Sequence, residues 1–189
     1  MKFRYLILAS LFLAAKVYGS LLNPDTSSIN YLRNGFYAAV EDEEKVDLLE
    51  EYIISRYSED YSSYNPLILA YYGGIQALKA KHAFNPVSKL SHLISGLNRL
   101  EEAVARSPES LEIRFMRFSI LDHIPGFLGY SEEREADKDK ICRLLQLKDY
   151  TSTGYEIQKG MAEYMLESDR LNKNQVKLMQ ELISSYAEK

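Results

Sequence analysis

Two constellations in this sequence combine residue types that can do chemistry. The first is Arg114, Arg117 and His123, inside SPESLEIRFMRFSILDHIPGFLGY between Ser107 and Tyr130. A guanidinium fork matches a carboxylate or phosphate with two parallel hydrogen bonds, and an imidazole moves a proton near neutral pH. Placed around one pocket, these three predict a small-molecule or glycan-acting enzyme. If the arginines are instead partly buried, they must find carboxylate partners, because an unpaired buried charge costs several kcal/mol. Glu101, Glu102, Asp137 and Asp139 are the candidates. The second constellation is tyrosine: Tyr31, Tyr37, Tyr52, Tyr57, Tyr61, Tyr64, Tyr71 and Tyr72 crowd the first half of the chain. Tyrosine joins an apolar body to a polar tip and is enriched at recognition surfaces. Tyr61, Tyr64 and Tyr72 are therefore candidates to line a groove for a peptide or glycan. The alternative is that tyrosines stand in for Phe and Trp at the margins of a small core.

The remaining chemistry-bearing residues point away from catalysis. His82 and His92 lack a carboxylate at helical spacing, and the chain has no HExxH, CxxC or calcium loop. Neither a G-x-S-x-G elbow nor a Walker loop is present. Glu101 and Glu102 could act as an acid and a base, but adjacent helical positions point about 100° apart. Cys142 is the only cysteine, so no internal disulfide can form. It shares an apolar helix face with Ile141, Leu144 and Leu145, which predicts a small buried hydrophobe rather than a nucleophile. The expectation is a non-enzyme with no metal and no cofactor.

The elements that must position these residues read as helices. Ser107-Pro108-Glu109 offers an N-cap, a proline at the first helical position and an early negative charge. Pro125-Gly126 supplies the stop. Between them Leu111, Phe115 and Phe118 fall on one side, and Ile113, Met116, Ile120 and Ile124 on nearly the opposite one. A surface helix needs one apolar stripe, so this one is predicted to be sandwiched between neighbours.

Upstream, helices are predicted over 27–40, 43–56, 66–83 and 86–106. Asn65-Pro66, Asn85-Pro86 and Ser107-Pro108 repeat a start signal about every twenty residues, one helix and a tight turn each. In the third helix Ala70, Gly73, Ala77 and Ala80 form a small-residue stripe, and Gly73 predicts the close approach of another helix. The fourth carries Leu90, Leu93, Leu97, Leu100 and Val104 as its apolar face. Downstream, a helix begins at Ser131, and 155–167 with 174–188 reads as an antiparallel pair. No stretch alternates with period two. The fold class is all-α, about eight helices packed as antiparallel hairpins.

Residues 1–19 read as a secretory signal peptide: Lys2 and Arg4, then an apolar run from Tyr5 to Ala15, then small residues ahead of Ser20. That run is too short for an ordinary membrane span, and no later stretch is long enough. Residues 20–189 are then a single α-helical domain, exported to the periplasm or outside a bacterial cell. Loss of Lys2, Arg4 and Lys16 takes the net charge from −4 to −7. Such an acidic domain disfavours nucleic acid and anionic membrane as partners.

AVARSPESLEIRFMRF, from Ala103 to Phe118, resembles the junction between two tetratricopeptide-like units. There a small residue late in one helix precedes a proline and the opening of the next unit. The Ala70, Gly73 and Ala77 stripe is similar to the small positions such helices use for close packing. The block from NPLILAYYGG to PGFLGY also resembles a group of small exported bacterial proteins of unknown function. The resemblance implies a right-handed array of helical hairpins serving as a protein-interaction scaffold, with another protein or peptide as partner.

Overall fold

Side-chain caps decide where the helices begin. In the computed structural model, which describes residues 24–57 and 59–187, the Asp25 carboxylate accepts the Ser28 backbone N–H at 2.7 Å. That cap opens α1, Thr26–Ala39. Asp42 accepts the Glu44 amide at 3.1 Å at the head of α2, Glu43–Tyr57. Asn65 caps α3, Pro66–His82, through the Leu67 amide at 2.9 Å. Asn85 caps α4, Pro86–Arg106, through the Val87 amide at 2.8 Å. Both Asn-Pro pairs therefore start helices as their sequence predicts.

Ser107-Pro108 does not start one. The Ser107 amide still donates to Ala103 O at 3.0 Å, so this residue finishes α4, and Ser110 N closes a turn onto Ser107 O at 3.2 Å. The cap falls to Ser110, whose hydroxyl accepts from the Ile113 amide, and α5 spans Leu111–Asp122. Three further helices follow: α6 over Ser131–Gln146, α7 over Tyr155–Glu167 and α8 over Lys173–Ala187. The described residues form an all-α fold of eight α-helices with no strand. None of these helices is long and apolar enough to cross a membrane. The expected signal peptide, 1–19, lies outside the described residues.

The helices gather into two compact units, one ending at Arg99 and the other running from Leu100, so the boundary falls inside α4. In the first unit α1, α2 and α3 pack mutually. Their apolar faces supply the buried Leu32, Val46, Leu49, Ile53, Ile68 and Ile75. In the second, α5 pairs with α6 and α7 with α8, while α6 also touches both members of the latter pair. Phe118, Ile141, Leu145, Met161, Met165 and Met179 make its core. Cys142 joins that cluster as a free thiol. Burial pushes the thiol up to about 11, consistent with its reading as a small hydrophobe.

α5 is buried on both of its apolar sides: Leu111 and Phe118 on one, Ile113 and Met116 on the other, with Ile124 buried just past its end. The two-sided pattern of its sequence is thus realised. One position on α4 departs from expectation. Leu90, grouped by spacing with the buried Leu97 and Leu100, is half exposed, because residues 86–91 are all exposed and the first buried residue of α4 is Gly96, where it meets α3.

That α3–α4 crossing explains the small-residue stripe. A Cβ added at Gly96 of α4 would lie 2.6 Å from Gly73 O and 2.9 Å from Ala77 N. Real Cβ atoms do not come so close, so the two backbones meet only because Gly96 has no side chain. Gly73 therefore marks a close helix approach, and Gly96 is its required counterpart.

Glycine packing makes one prediction and the α1 cap a second. Gly96→Ala should destabilise the fold by roughly 1–3 kcal/mol through overpacking against backbone. Gly160→Ala, where an added Cβ meets nothing within 4 Å, should stabilise by about 0.5–1 kcal/mol. Chemical denaturation of the two variants checks both signs. The second prediction concerns Asp25, whose carboxyl is held well below the usual carboxylate range. The Ser28 amide is the largest cause and the Ser27 hydroxyl the next; Arg56, at 2.8 Å, adds to them. A lowered folded pKa gives stability that is present above the unfolded value and lost as pH falls through the folded one. The stability gap between wild type and Asp25→Ala, measured by urea titration, should be constant near neutrality and shrink below about pH 4.

Candidate functional site

The two sequence-predicted arginines are brought together, and what joins them is Asp137. They lie one turn apart on the same side of α5 and face α6. Arg117 Nε donates to Asp137 Oδ2 at 2.6 Å and its Nη2 to Oδ1 at 2.9 Å. Arg114 Nη1 reaches the same Oδ1 at 2.7 Å, and its Nε donates to Pro108 O at 3.0 Å. Asp137 has no exposed surface, and Arg117 is 7% exposed. Of the four carboxylates named as possible partners, Asp137 is the one used. Asp139 accepts from Gln175 at 2.7 Å, and Glu102 pairs with Arg106 on its own helix. Glu101 is exposed.

His123 does not share that arrangement. It sits at the exposed C-cap of α5, where Nδ1 lies 2.8 Å from Ser119 O and 3.4 Å from the Tyr164 hydroxyl. The same hydroxyl is 3.5 Å from Asp122 Oδ2, and Asp122 accepts from Arg170 Nε at 2.7 Å. Burial, and then the Asp122 charge, raises the Tyr164 phenol above the ordinary tyrosine range. This polar cluster ties the end of α5 to α7 and the turn that follows it. The arginines and the histidine thus have separate partner sets.

The tyrosine candidates do assemble, with an unforeseen fourth member. Tyr61 stands in a short 3-10 turn, Tyr61–Ser63, whose N-cap Asp60 accepts the Ser62 amide at 3.0 Å. Tyr61 and Tyr72 stack with ring centroids 6.4 Å apart, and Tyr64 meets Tyr72 edge-on at 5.8 Å. The Arg99 guanidinium lies 4.5 Å from the Tyr61 centroid and 5.1 Å from that of Tyr72. Arg99 is held from behind by Ser95, donating to its carbonyl at 2.8 Å and also to its hydroxyl. A cation over two ring faces is attracted by both quadrupoles.

The three tyrosines differ in kind. Tyr64 is buried, its phenol pushed up to about 12 by burial first and by Tyr72 next. Tyr72 is half-buried, and Tyr61 is 41% exposed. Tyr64 therefore braces the cluster from the core, while Tyr61, Tyr72 and Arg99 form its face. Arg99 carried no signal in sequence, since nothing in helical periodicity says that rings 38 and 27 positions earlier will stack on it.

A polar pocket of about 210 Å³ also opens in the first unit, lined by Glu43, Val46, Asp47, Lys79, Ala83 and His92. Two of its charged residues, Asp47 and Lys79, answer one another. Lys79 pairs with Glu50 and, at 3.2 Å, with Asp47. Burial works against the Lys79 ammonium, but these two carboxylates hold its pKa above the ordinary value. Gln76 Nε2 donates to Glu50 at 2.5 Å, which turns its Oε1 toward His92 Nδ1 at 3.3 Å. His82 accepts the role expected of a helix-end residue, with Nε2 3.1 Å from Ala39 O. No group of three or more metal-ligating side chains occurs among the described residues.

No family model, curated protein or solved structure matches the chain. Function must be argued from the arrangement of its own residues.

The charge lattice makes a sharp stability prediction. Asp137→Asn keeps the shape but leaves two guanidinium groups facing a neutral amide, and should destabilise by roughly 3–5 kcal/mol. Glu109→Gln, which removes only the exposed partner of Lys140, should leave stability nearly unchanged, because solvent screens a surface pair. Urea unfolding of the two variants measures the difference.

Proposed function

We propose that this chain is an exported, non-enzymatic helical scaffold that binds another protein or a peptide through Tyr61, Tyr72 and Arg99. The observation that carries the reading is the Arg99 guanidinium held over two tyrosine rings on a partly exposed surface. Tyrosine and arginine dominate binding hot spots because they offer large contact area together with directional hydrogen bonding. Here both are ordered before any partner arrives: the rings brace one another, and Ser95 fixes the guanidinium. A preordered surface loses little side-chain entropy on binding, which is the usual cost of using long side chains.

Export to a bacterial periplasm or beyond rests on residues 1–19, with their basic start and short apolar run. A tetratricopeptide-like pairing of α3 with α4 belongs to the same proposal. Two observations support it: the Asn-Pro starts twenty residues apart and the backbone contact at Gly73 and Gly96. Acidic net charge favours a protein partner over nucleic acid.

The test is affinity capture from the native envelope fraction with identification by mass spectrometry, repeated with variants. Tyr61→Ala combined with Tyr72→Ala, and Arg99→Ala alone, should each weaken the captured partner at least about tenfold. Arg99→Lys should fall between, since lysine keeps the charge but not the planar stacking. Unchanged capture by all three, with helicity intact by circular dichroism, would overturn the reading.

A further inference from the structure

Arg99 is a partly buried cation that lacks a carboxylate. The chain holds 27 acidic residues against 23 basic ones, so acids are in surplus. Among the described residues none of them pairs with this guanidinium, whose partners are Ser95 and two tyrosine rings. The nearby acids are already committed. Glu50, whose charge is felt at Tyr64 and Tyr72, serves Lys79 and Gln76. Asp60, felt at Tyr64, takes up the Ser62 amide and hydroxyl. Ring faces offset part of the cost of withdrawing a cation from water, but they do not replace an anion.

The donors left over define what fits. Arg99 Nη1 is engaged by the Ser95 carbonyl and hydroxyl, and Nε is enclosed without a partner. Nη2 remains, on a residue that is itself partly exposed. The Tyr61 and Tyr72 hydroxyls likewise hydrogen-bond to no described residue. Free donors around one positive charge call for a group that accepts hydrogen bonds and is negative. The charge count then chooses among anions. One guanidinium balances one carboxylate, whereas phosphorylated segments are held by clusters of arginine. Lys79, the other cation felt at Tyr72, is neutralised by Glu50 and Asp47.

We infer, on the peptide-binding reading of this surface, that its partner is an acidic segment in which one Asp or Glu side chain meets Arg99 Nη2 while the flanking residues lie on Tyr61 and Tyr72. The guanidinium contacts both rings, at 4.5 and 5.1 Å from their centroids. Chain on either side of the acid therefore finds a ring. An acid in mid-segment uses both rings, whereas a chain terminus uses one.

Random peptides of about twelve residues displayed on phage are the probe, selected on the full chain. Clones that still bind a Tyr61→Ala, Tyr72→Ala double variant are discarded. The expected pool carries Asp or Glu at one position, beside apolar or aromatic residues. Changing that acid to Asn or Gln in a selected peptide should weaken binding to wild type at least about tenfold, but to Arg99→Gln less than about twofold. Amidating the peptide C-terminus should change nothing, and binding should weaken between about 50 and about 500 mM salt. Should Arg99→Gln lose helicity by circular dichroism, Arg99→Met, which keeps an apolar stem, decides in its place. A pool without acid preference, or an acid whose loss weakens both proteins equally, overturns the inference and leaves the peptide site standing. Binding that depends on a free C-terminal carboxylate does the same. Failure to select any peptide on the folded chain overturns the peptide-binding reading itself, and the acidic partner with it.

Discussion

The second unit depends on one buried carboxylate. Asp137 is fully enclosed and shared by Arg114 and Arg117, which stand one turn apart on α5. A buried ion pair is weak evidence of net stability, because desolvation offsets much of its attraction. What the arrangement imposes is register. Two guanidinium groups can reach one carboxylate only when α5 and α6 lie at a single relative offset. Phe118, next after Arg117, and Ile141, one turn beyond Asp137, are both wholly buried in the same cluster. The charges fix the offset and the apolar residues fill it. Sliding α6 by a residue would strand two arginines and misplace Ile141 together, so the alternatives are penalised by separate mechanisms.

The first unit solves the same problem with space instead of charge. α3 and α4 are aligned by the absence of a side chain at Gly96, where the Gly73 carbonyl occupies the room a Cβ would need. Polar groups follow from that closeness. Gln76, on α3, is near enough to α4 to meet His92 and near enough to α2 to donate to Glu50. Lys79 continues the line through Glu50 and Asp47. The pocket beside these residues therefore takes Asp47, Lys79 and His92 of its lining from groups already engaged with one another or with Gln76 and Glu50.

Much of the architecture is legible in sequence because caps and periodicity act locally. Asn65 and Asn85 declare their helices through side-chain bonds to residues two positions away. Ser107 misleads for an equally local reason: Ser110 offers the same cap three residues later, and the choice depends on where α4 runs out of carbonyls. The arginine lattice was legible as a need for carboxylates but not as Asp137. Choosing among four acids requires the α5–α6 offset, which is a tertiary fact. Tyrosines show a similar limit. Composition marks the cluster, but burial separates Tyr64 from Tyr61, three residues apart on one turn. Arg99 and the exposure of Leu90 were invisible, since both turn on what the faces of α4 find opposite them.

The distribution of exposed residues argues for a division of roles between the units. From Leu100 onward the arginine–aspartate lattice and Cys142 are enclosed, and large exposed hydrophobes such as Phe127 and Leu147 stand singly. Up to Arg99, besides Tyr31, Tyr37 and Leu48, there are two exposed groupings: a cation–aromatic face, and the apolar residues Phe84, Val87, Leu90 and Ile94. Both involve α4, yet Arg99 and Val87 are twelve residues apart, which places them about 120° apart around the helix. The cation–aromatic face and the exposed apolar residues at the start of α4 therefore point in different directions, so a partner held by Arg99 and its tyrosines leaves Val87 and Ile94 uncovered.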